Sequence, residues 1–332
     1  ANVLPVRVLG SHEPQNVTEP HIFAMFCPFC RDVLAQGLQG RYDYLDGIMI
    51  SQSCLHVRQA YTSWELHIPT NFSYYLPMPH HVQSKHAIPF TRAEFDKFKT
   101  KVEEWTGNKI TDDDLKRGIE TVNRDRQLMK QAYKARQKDE VPMSGLEAMY
   151  MVVSSQMTDK AEHARILEDA LGKLESRQRE KPTGTRLMLL GSENDDVEFV
   201  NMVEGLDATI VQDDHCTGTR YFWDEVQPNG DPMTAIAERY VNRLPCPTKD
   251  WPSRKRIDRI LEFAKDWNVQ GAIVLQQKFC DPHELDIPAI RKALEEQDVK
   301  TLFLELDVTV PVGQFKIRSE AFLEMLAEED LF

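Results

Sequence analysis

At 332 residues the chain is long enough for about two domains of ordinary size, at roughly 150 residues each. Its 41% hydrophobic and 28% charged residues exclude a disordered or collagen-like polymer. Fifty-three acidic against 40 basic residues leave a formal charge of −13 with no basic block, which makes nucleic acid a poor partner because phosphate contacts need clustered Lys and Arg.

No apolar run approaches the roughly 20 residues that span a bilayer, so no membrane segment is expected. No signal peptide precedes the first strand-like segment, which predicts a cytoplasmic protein. The start at Ala1 without a Met predicts a trimmed or partial amino terminus.

Val3–Leu9 reads as a strand, and Ile22–Phe26 as a second apolar run leading into Cys27. A helix follows through Asp32–Leu38. Strand Leu45–Ser51 comes next, then Cys54, then a helix from Leu55 to about Glu65, and Phe72–Leu76 as a third strand. Thr91 with Glu94 has the capping-box spacing and predicts a helix to about Trp105; Thr111 with Asp114 opens another. Ser144–Met157 and Lys160–Arg179 add two more helices, and Glu175–Lys181, followed by Pro182 and Gly184, reads as a hinge.

Beyond it, strands Thr185–Gly191, Ala208–Gln212, Ala272–Gln276 and Thr301–Leu306 alternate with helical segments Asp195–Glu204, Pro232–Leu244, Ser253–Trp267, Ile287–Gln297 and Ser319–Glu329. Short apolar strands alternating with longer helices predict an α/β fold with a parallel sheet covered on both faces. The expected organisation is two Rossmann-like (flavodoxin-like) parallel-sheet domains, residues 1–90 and 183–332, joined by a helical connecting region at 91–182. Such folds bind ligands beyond the carboxyl ends of their strands.

Six cysteines are too few for a disulfide scaffold. Cys27, Cys54 and Cys280 each follow a short apolar strand or strand-like run, so loops of both α/β domains could bring three thiolates to one cleft. Three cysteines without a histidine at close motif spacing suit a cubane iron–sulfur cluster better than structural zinc. Against that stands the plain reading that free cysteines are small buried apolar residues. Cys30 lies three residues after Cys27, the spacing of a ligand pair or a redox dithiol, and is an alternative ligand. Cys246, between two prolines, reads as structural.

The segment Asp213–Arg220 (DDHCTGTR) packs two carboxylates, an imidazole, a thiol, two hydroxyls and a guanidinium into eight positions. His215 is its candidate catalytic proton donor and Arg220 a candidate anion partner, with Cys216 a neighbour rather than a ligand. The competing reading has Asp213 and Asp214 capping a helix, with Arg220 holding them in a surface network. His80, His81 and His86 read as solvated loop residues. Neither GxGxxG nor GxxxxGK[ST] occurs, so ATP hydrolysis by this chain is not expected.

Phe26–Asp32 (FCPFCRD), Leu45–Cys54 (LDGIMISQSC), Asp213–Trp223 (DDHCTGTRYFW), Lys278–Pro282 (KFCDP) and Gly313–Glu324 (GQFKIRSEAFLE) appear in an order that resembles the benzoyl-CoA reductase and 2-hydroxyacyl-CoA dehydratase family. The resemblance covers nearly the whole chain and is nearest to the cluster-bearing subunits of ATP-dependent benzoyl-CoA reductase. It implies a 4Fe–4S cluster held by Cys27, Cys54 and Cys280, with Cys30 standing where relatives have a non-cysteine. It implies a homologous cluster-bearing subunit as partner, and ATP-hydrolysing activator subunits that receive electrons from ferredoxin. The substrate implied is an acyl-CoA. The activity implied is an oxidoreductase acting on a CH–CH pair, dearomatising benzoyl-CoA by low-potential single-electron transfer. The dehydratase outcome, through a ketyl radical, and a non-catalytic electron-transfer or zinc-stabilised scaffold are the alternatives.

Overall fold

A computed structural model describes residues 1–174, 176–228, 230–243, 246–249 and 254–329. Glu175, Leu244, Pro245 and Ser253, which carry expected helix or hinge boundaries, lie outside the described residues.

The chain is α/β. Two strands of the amino-terminal part, β1 (Gly47–Ser51) and β2 (Phe72–Leu76), pair in parallel as a small two-stranded sheet. A separate four-stranded parallel sheet is built from β3 (Thr185–Gly191), β4 (Ala208–Asp214), β5 (Gly271–Gln277) and β6 (Lys300–Leu306), in the order β4-β3-β5-β6. The helices are α1 (Pro28–Leu38), α2 (Leu55–His67), α3 (Ala87–Thr106), α4 (Asp112–Ala135), α5 (Gly145–Met157), α6 (Lys160–Leu174), α7 (Val197–Glu204), α8 (Thr219–Phe222), α9 (Pro232–Asn242), α10 (Lys255–Asp266), α11 (Asp281–Glu295) and α12 (Val312–Glu329).

Period-two alternation sorts the four-stranded sheet into two cores. Leu187, Leu189, Ile273 and Leu275 face Met149 of α5, Phe199 and Val203 of α7, and Phe315 and Phe322 of α12. Met188, Leu190, Ala272 and Val274 face the opposite layer, with Phe263 and Trp267 at α10, Ile287 and Ile290 of α11, and Tyr133 of α4. Strands buried on both faces need no polar alternation, which is why these segments read as continuous apolar runs. The strand order reverses between β3 and β5, so the loops after these two strands flank the topological switch point, where open α/β sheets place their ligands.

α5 approaches this sheet closely. A Cβ on Gly145 would meet Ile210 Cβ at 2.7 Å and Ile210 O at 2.9 Å, while Gly145 N donates to Glu204 Oε1 at 2.7 Å. Gly145→Ala is expected to push the helix off β4 and cost about 1–3 kcal/mol, read as a lower urea midpoint at unchanged slope.

The amino-terminal third departs from expectation. Val3–Leu9 forms no strand: Arg7 N donates to Gln156 O and Leu9 N to the Tyr42 hydroxyl, so its backbone is partnered singly and not by a ladder. Ile22–Phe26 is a series of turns, with Ile22 packed on Leu34 and Trp64. Thr91 does not open α3. The helix starts at Ala87, and the buried Thr91 hydroxyl donates to Ala87 O at 2.8 Å. The capping boxes at Thr111 and at Ser144 with Glu147 are present. Among the described residues no helix is long and apolar enough to cross a membrane.

Candidate functional site

Cys27, Cys54 and Cys280 share one structural position. Each is the residue that precedes the first turn of a helix, Cys27 for α1, Cys54 for α2 and Cys280 for α11, and none has its side chain engaged as a cap. Free amides and the helix dipole give such a position a positive field, which favours thiolate. Pro28 and Pro282 in the first turns of α1 and α11 fix φ where an amide would be unsatisfied anyway. Phe279, next to Cys280, takes φ +59°, a left-handed conformation that costs energy for a bulky residue and turns the chain from β5 into α11.

The thiols bear on one another. Hydrogen bonding from Cys30 lowers Cys27 to about 5 against the effect of burial, and His56 adds to it. Cys30, 2% exposed, is raised by that hydrogen bond, by burial, and by the charges of Cys27, Cys54 and Cys280. Cys54 is raised by burial and by Cys27. Burial also raises Cys280, as does Cys27, while the Ser192 hydroxyl beside it works the other way. His56 Nδ1 accepts the Cys27 amide at 3.0 Å, which leaves its Nε2 toward Asp281 Oδ2 at 3.9 Å. Among the described residues no three His, Cys, Asp or Glu side chains stand in the arrangement of a metal site, so the thiols are neighbours without a closed ligand set.

Cys216 and Cys246 belong to the same neighbourhood. Both act on Arg220, which Cys280 also reaches, and Cys246 acts on Cys54. Burial opposes ionisation of Cys246, but Arg220 and the Thr248 hydroxyl, 3.2 Å from its sulfur, lower it. The prolines on either side of Cys246 suggest a rigid loop and nothing more, so its sequence gives no sign of this placement.

The Asp213–Arg220 segment is interior, not a solvated loop, since β4 continues through Asp214. Asp213 Oδ1 accepts from Thr219 N at 2.6 Å, and the Tyr133 hydroxyl donates to Asp213 Oδ2 at 2.5 Å. Arg220 donates to Gly191 O and Ser192 O, tying β4 to the end of β3. The Arg220 network is therefore buried rather than superficial. Thr217 Oγ1 donates to Asn194 O at 2.5 Å, so His215 Nδ1, 3.1 Å away, is the donor to Thr217, and Nε2 lies 3.9 Å from Asp213 Oδ1. Burial lowers the His215 pKa more than Asp213 raises it, leaving a neutral ring at neutral pH.

The residues after β3 carry no motif in the sequence. Ser192, Glu193 and Asn194 are buried, and Gln277 ends β5 beside them with Nε2 directed to Glu193 O at 3.4 Å. Small polar residues after a strand look like any turn, and only the switch-point rule points there.

A family model described as "2-hydroxyglutaryl-CoA dehydratase, D-component" matches residues 1–326. The chain is 26% identical over 327 residues to the (R)-phenyllactyl-CoA dehydratase beta subunit of Clostridium sporogenes, covering 98% of this chain and 87% of that protein. It is 24% identical over 306 residues to a benzoyl-CoA reductase subunit of Thauera aromatica, covering 90% and 79%. It is 24% identical over 339 residues to (R)-2-hydroxyglutaryl-CoA dehydratase, subunit beta, of Acidaminococcus fermentans, covering 98% and 88%.

Proposed function

The chain belongs to the 2-hydroxyglutaryl-CoA dehydratase D-component family, and from that premise we propose that it is the iron–sulfur subunit of an enzyme that reduces an aromatic acyl-CoA by one electron. The observation that carries the reading is the placement of Cys27, Cys54 and Cys280 at three helix amino termini, with thiols close enough to set one another's ionisation. This donor set fits a 4Fe–4S cluster in kind: soft sulfur ligands, a positive field from three helices, and the buried Arg220 guanidinium nearby. When bound, that group supplies the low-potential electron that turns a thioester into a ketyl radical anion. Cys30 acts in this reading as a hydrogen-bond donor to Cys27 and is the alternative ligand.

The remaining work falls to this chain's own side chains. His56 and Asp281 hold the loop around Cys27, and Arg220 fixes the ends of β3 and β4 at the crevice. We assign His215 a positioning role, because its N–H is committed to Thr217. His215→Gln is expected to keep its iron and lower turnover by about tenfold or less without moving the pH profile, since the wild-type ring is already neutral. Anaerobic activity measured against pH checks this; unchanged turnover leaves the segment a purely structural part.

Benzoyl-CoA is the first substrate reading, supported by the relative named for it and by the FCPFCRD and HCTGTRYFW segments. A dehydratase acting on a 2-hydroxyacyl-CoA is the second, favoured by similarity to a phenyllactyl-CoA dehydratase beta subunit along 98% of the chain. The chain works beside a homologous cluster-bearing subunit and an ATP-hydrolysing activator fed by ferredoxin, in the cytoplasm. Relatives that are themselves named as subunits of larger enzymes support such an assembly. Purified without oxygen, the chain is expected to carry about four iron and four sulfide, and to turn over neither acyl-CoA until its partner is added. Zinc in place of iron overturns the proposal. Products formed from benzoyl-CoA and from a 2-hydroxyacyl-CoA distinguish its two readings.

A further inference from the structure

Glu193 is the most unusual buried group at the switch point. It is 4% exposed, and neither of its carboxyl oxygens meets an N–H or O–H donor among the described residues. What lies against it is the carboxyl of Asp195. Burial, and then the Asp195 carboxyl beside it, push the Glu193 carboxyl well above the usual carboxylate range, which favours its protonated form and lets it donate toward Asp195. Cys216 also faces Glu193, and Arg7 is the cation that bears on it.

Asp195 continues outward. Its Oδ1 lies 2.6 Å from His12 Nε2, and Asp196 Oδ2 lies 3.7 Å from Nδ1 of the same ring. The backbone around His12 is fixed by its neighbours. It is a non-glycine residue at φ +59°, and buried Asp32 accepts both Ser11 N and His12 N at 2.8 Å. The carboxylates of Asp195, Asp196 and Asp32 all act on the ring. Side-chain exposure falls from 23% at His12 to 9% at Asp195, and Glu193 as a residue is 4% exposed, so the three run from solvent to interior.

At the inner end, Glu193 directly follows Ser192, whose hydroxyl is beside Cys280 and whose carbonyl accepts Cys216 N at 2.6 Å. Asn194 Nδ2 and Gln277 Oε1 are further buried polar atoms there without a hydrogen-bond partner among the described residues, which marks a place that takes a polar ligand group.

We propose that His12, Asp195 and Glu193 form a proton relay that delivers a proton from solvent to the acyl thioester at the ends of β3 and β5. The proposal rests on the acyl-CoA reading above, and both of its outcomes consume a proton: on a ring carbon, or on a departing hydroxyl. Glu193 O–H gives its proton to the substrate and becomes a carboxylate. The His12 imidazolium passes a proton to Asp195, Asp195 passes one to Glu193, and the neutral ring takes a proton from water. Within the relay only O–H and N–H bonds change and no electron moves. On the substrate the proton forms a ring C–H bond in the reductase outcome; in the dehydratase outcome the C–O bond breaks and the proton leaves with the hydroxyl as water.

The test uses Glu193→Gln, which keeps the shape, with Glu193→Asp and His12→Asn. In the assembled enzyme, Glu193→Gln is expected to keep iron and sulfide at the wild-type level and lose turnover on the order of 100-fold. Glu193→Asp is expected to recover part of it. His12→Asn should slow turnover on the order of tenfold, with added imidazole restoring it. Wild-type turnover in Glu193→Gln, or loss of its iron, overturns the relay.

A second measurement needs no cluster. A buried acid whose folded pKa lies above its unfolded value binds a proton more tightly when folded, so its contribution to stability declines as pH rises between the two. Metal-free Glu193→Gln is therefore expected to melt with wild type near about pH 4 and several degrees above it near about pH 8. Parallel curves overturn the protonated Glu193 whatever metal the chain binds. An iron-free wild type with diverging curves instead counts against the cluster and leaves the acid pair standing.

Discussion

Cys54→Ser and Cys280→Ser are each expected to abolish iron binding and acyl-CoA turnover together, while the metal-free proteins unfold within about 1 kcal/mol of wild type. The asymmetry follows from position. Both residues are only partly buried, precede a helix and make no side-chain cap, so serine replaces little in the metal-free fold. Cys27→Ser should behave alike in metal content. Cys30 decides between two assignments: it is almost wholly buried and donates to Cys27, so Cys30→Ser, whose hydroxyl can still donate, is expected to keep iron. Iron and sulfide analysis of the four variants, beside urea unfolding of their metal-free forms, checks the set. Full iron in Cys280→Ser would remove that residue from the ligand set.

Asp214→Asn is expected to be the most destabilising single exchange near the site, at about 3–5 kcal/mol. Asp214 is 1% exposed, accepts from Arg256 Nε at 2.5 Å and lies 3.4 Å from Arg220 Nε. The amide keeps the volume but removes the negative charge that two buried guanidinium groups share, leaving Asp286, 3.5 Å from Arg256, as the carboxylate nearby. Burial works to raise the Asp214 pKa, yet Arg256 and Arg220 outweigh it and hold it below the usual carboxylate range. A depressed acid stabilises the fold above its unfolded pKa of about 3.9, and that stability is lost as pH falls through the lower folded value. The gap between wild type and Asp214→Asn should accordingly be full at neutral pH and narrow only in strong acid. Denaturant midpoints measured across that range check it.

Strands β3 to β5 are legible in the sequence nearly to the residue, because a parallel strand covered on both faces is a largely apolar run with few alternative readings. β6, half-buried at the sheet edge, is legible from Leu302, Phe303 and Leu304. The four-stranded sheet and its switch point follow from them. Val3–Leu9 looks the same in composition but has no neighbouring strand to pair with, and pairing is a property of the fold, not of the segment. Thr91 misleads for a specific reason: a threonine three residues before an acid also occurs inside a helix, where its hydroxyl turns back to the carbonyl four residues earlier. The three cysteines at helix starts stand out because apolar runs lead to each. Glu193 cannot be singled out, since an acid in a turn and an acid sealed against another acid are spelled alike.

The cysteines at α1 and α11 stand some 250 residues apart in the chain. Any group that binds both is a cross-link of very long span, and closing a loop of that length takes on the order of 5 kcal/mol of chain entropy from the unfolded ensemble. The segment before Cys27 contains no strand and is fastened by separate contacts, among them those to Asp32, the Tyr42 hydroxyl, Gln156 O, Asp195 through His12, and Leu34 and Trp64 through Ile22. It is thus the part whose retention depends most on that cross-link. Oxidative loss of the bound group should show first as protease cleavage ahead of Cys27, before any change in the four-stranded sheet.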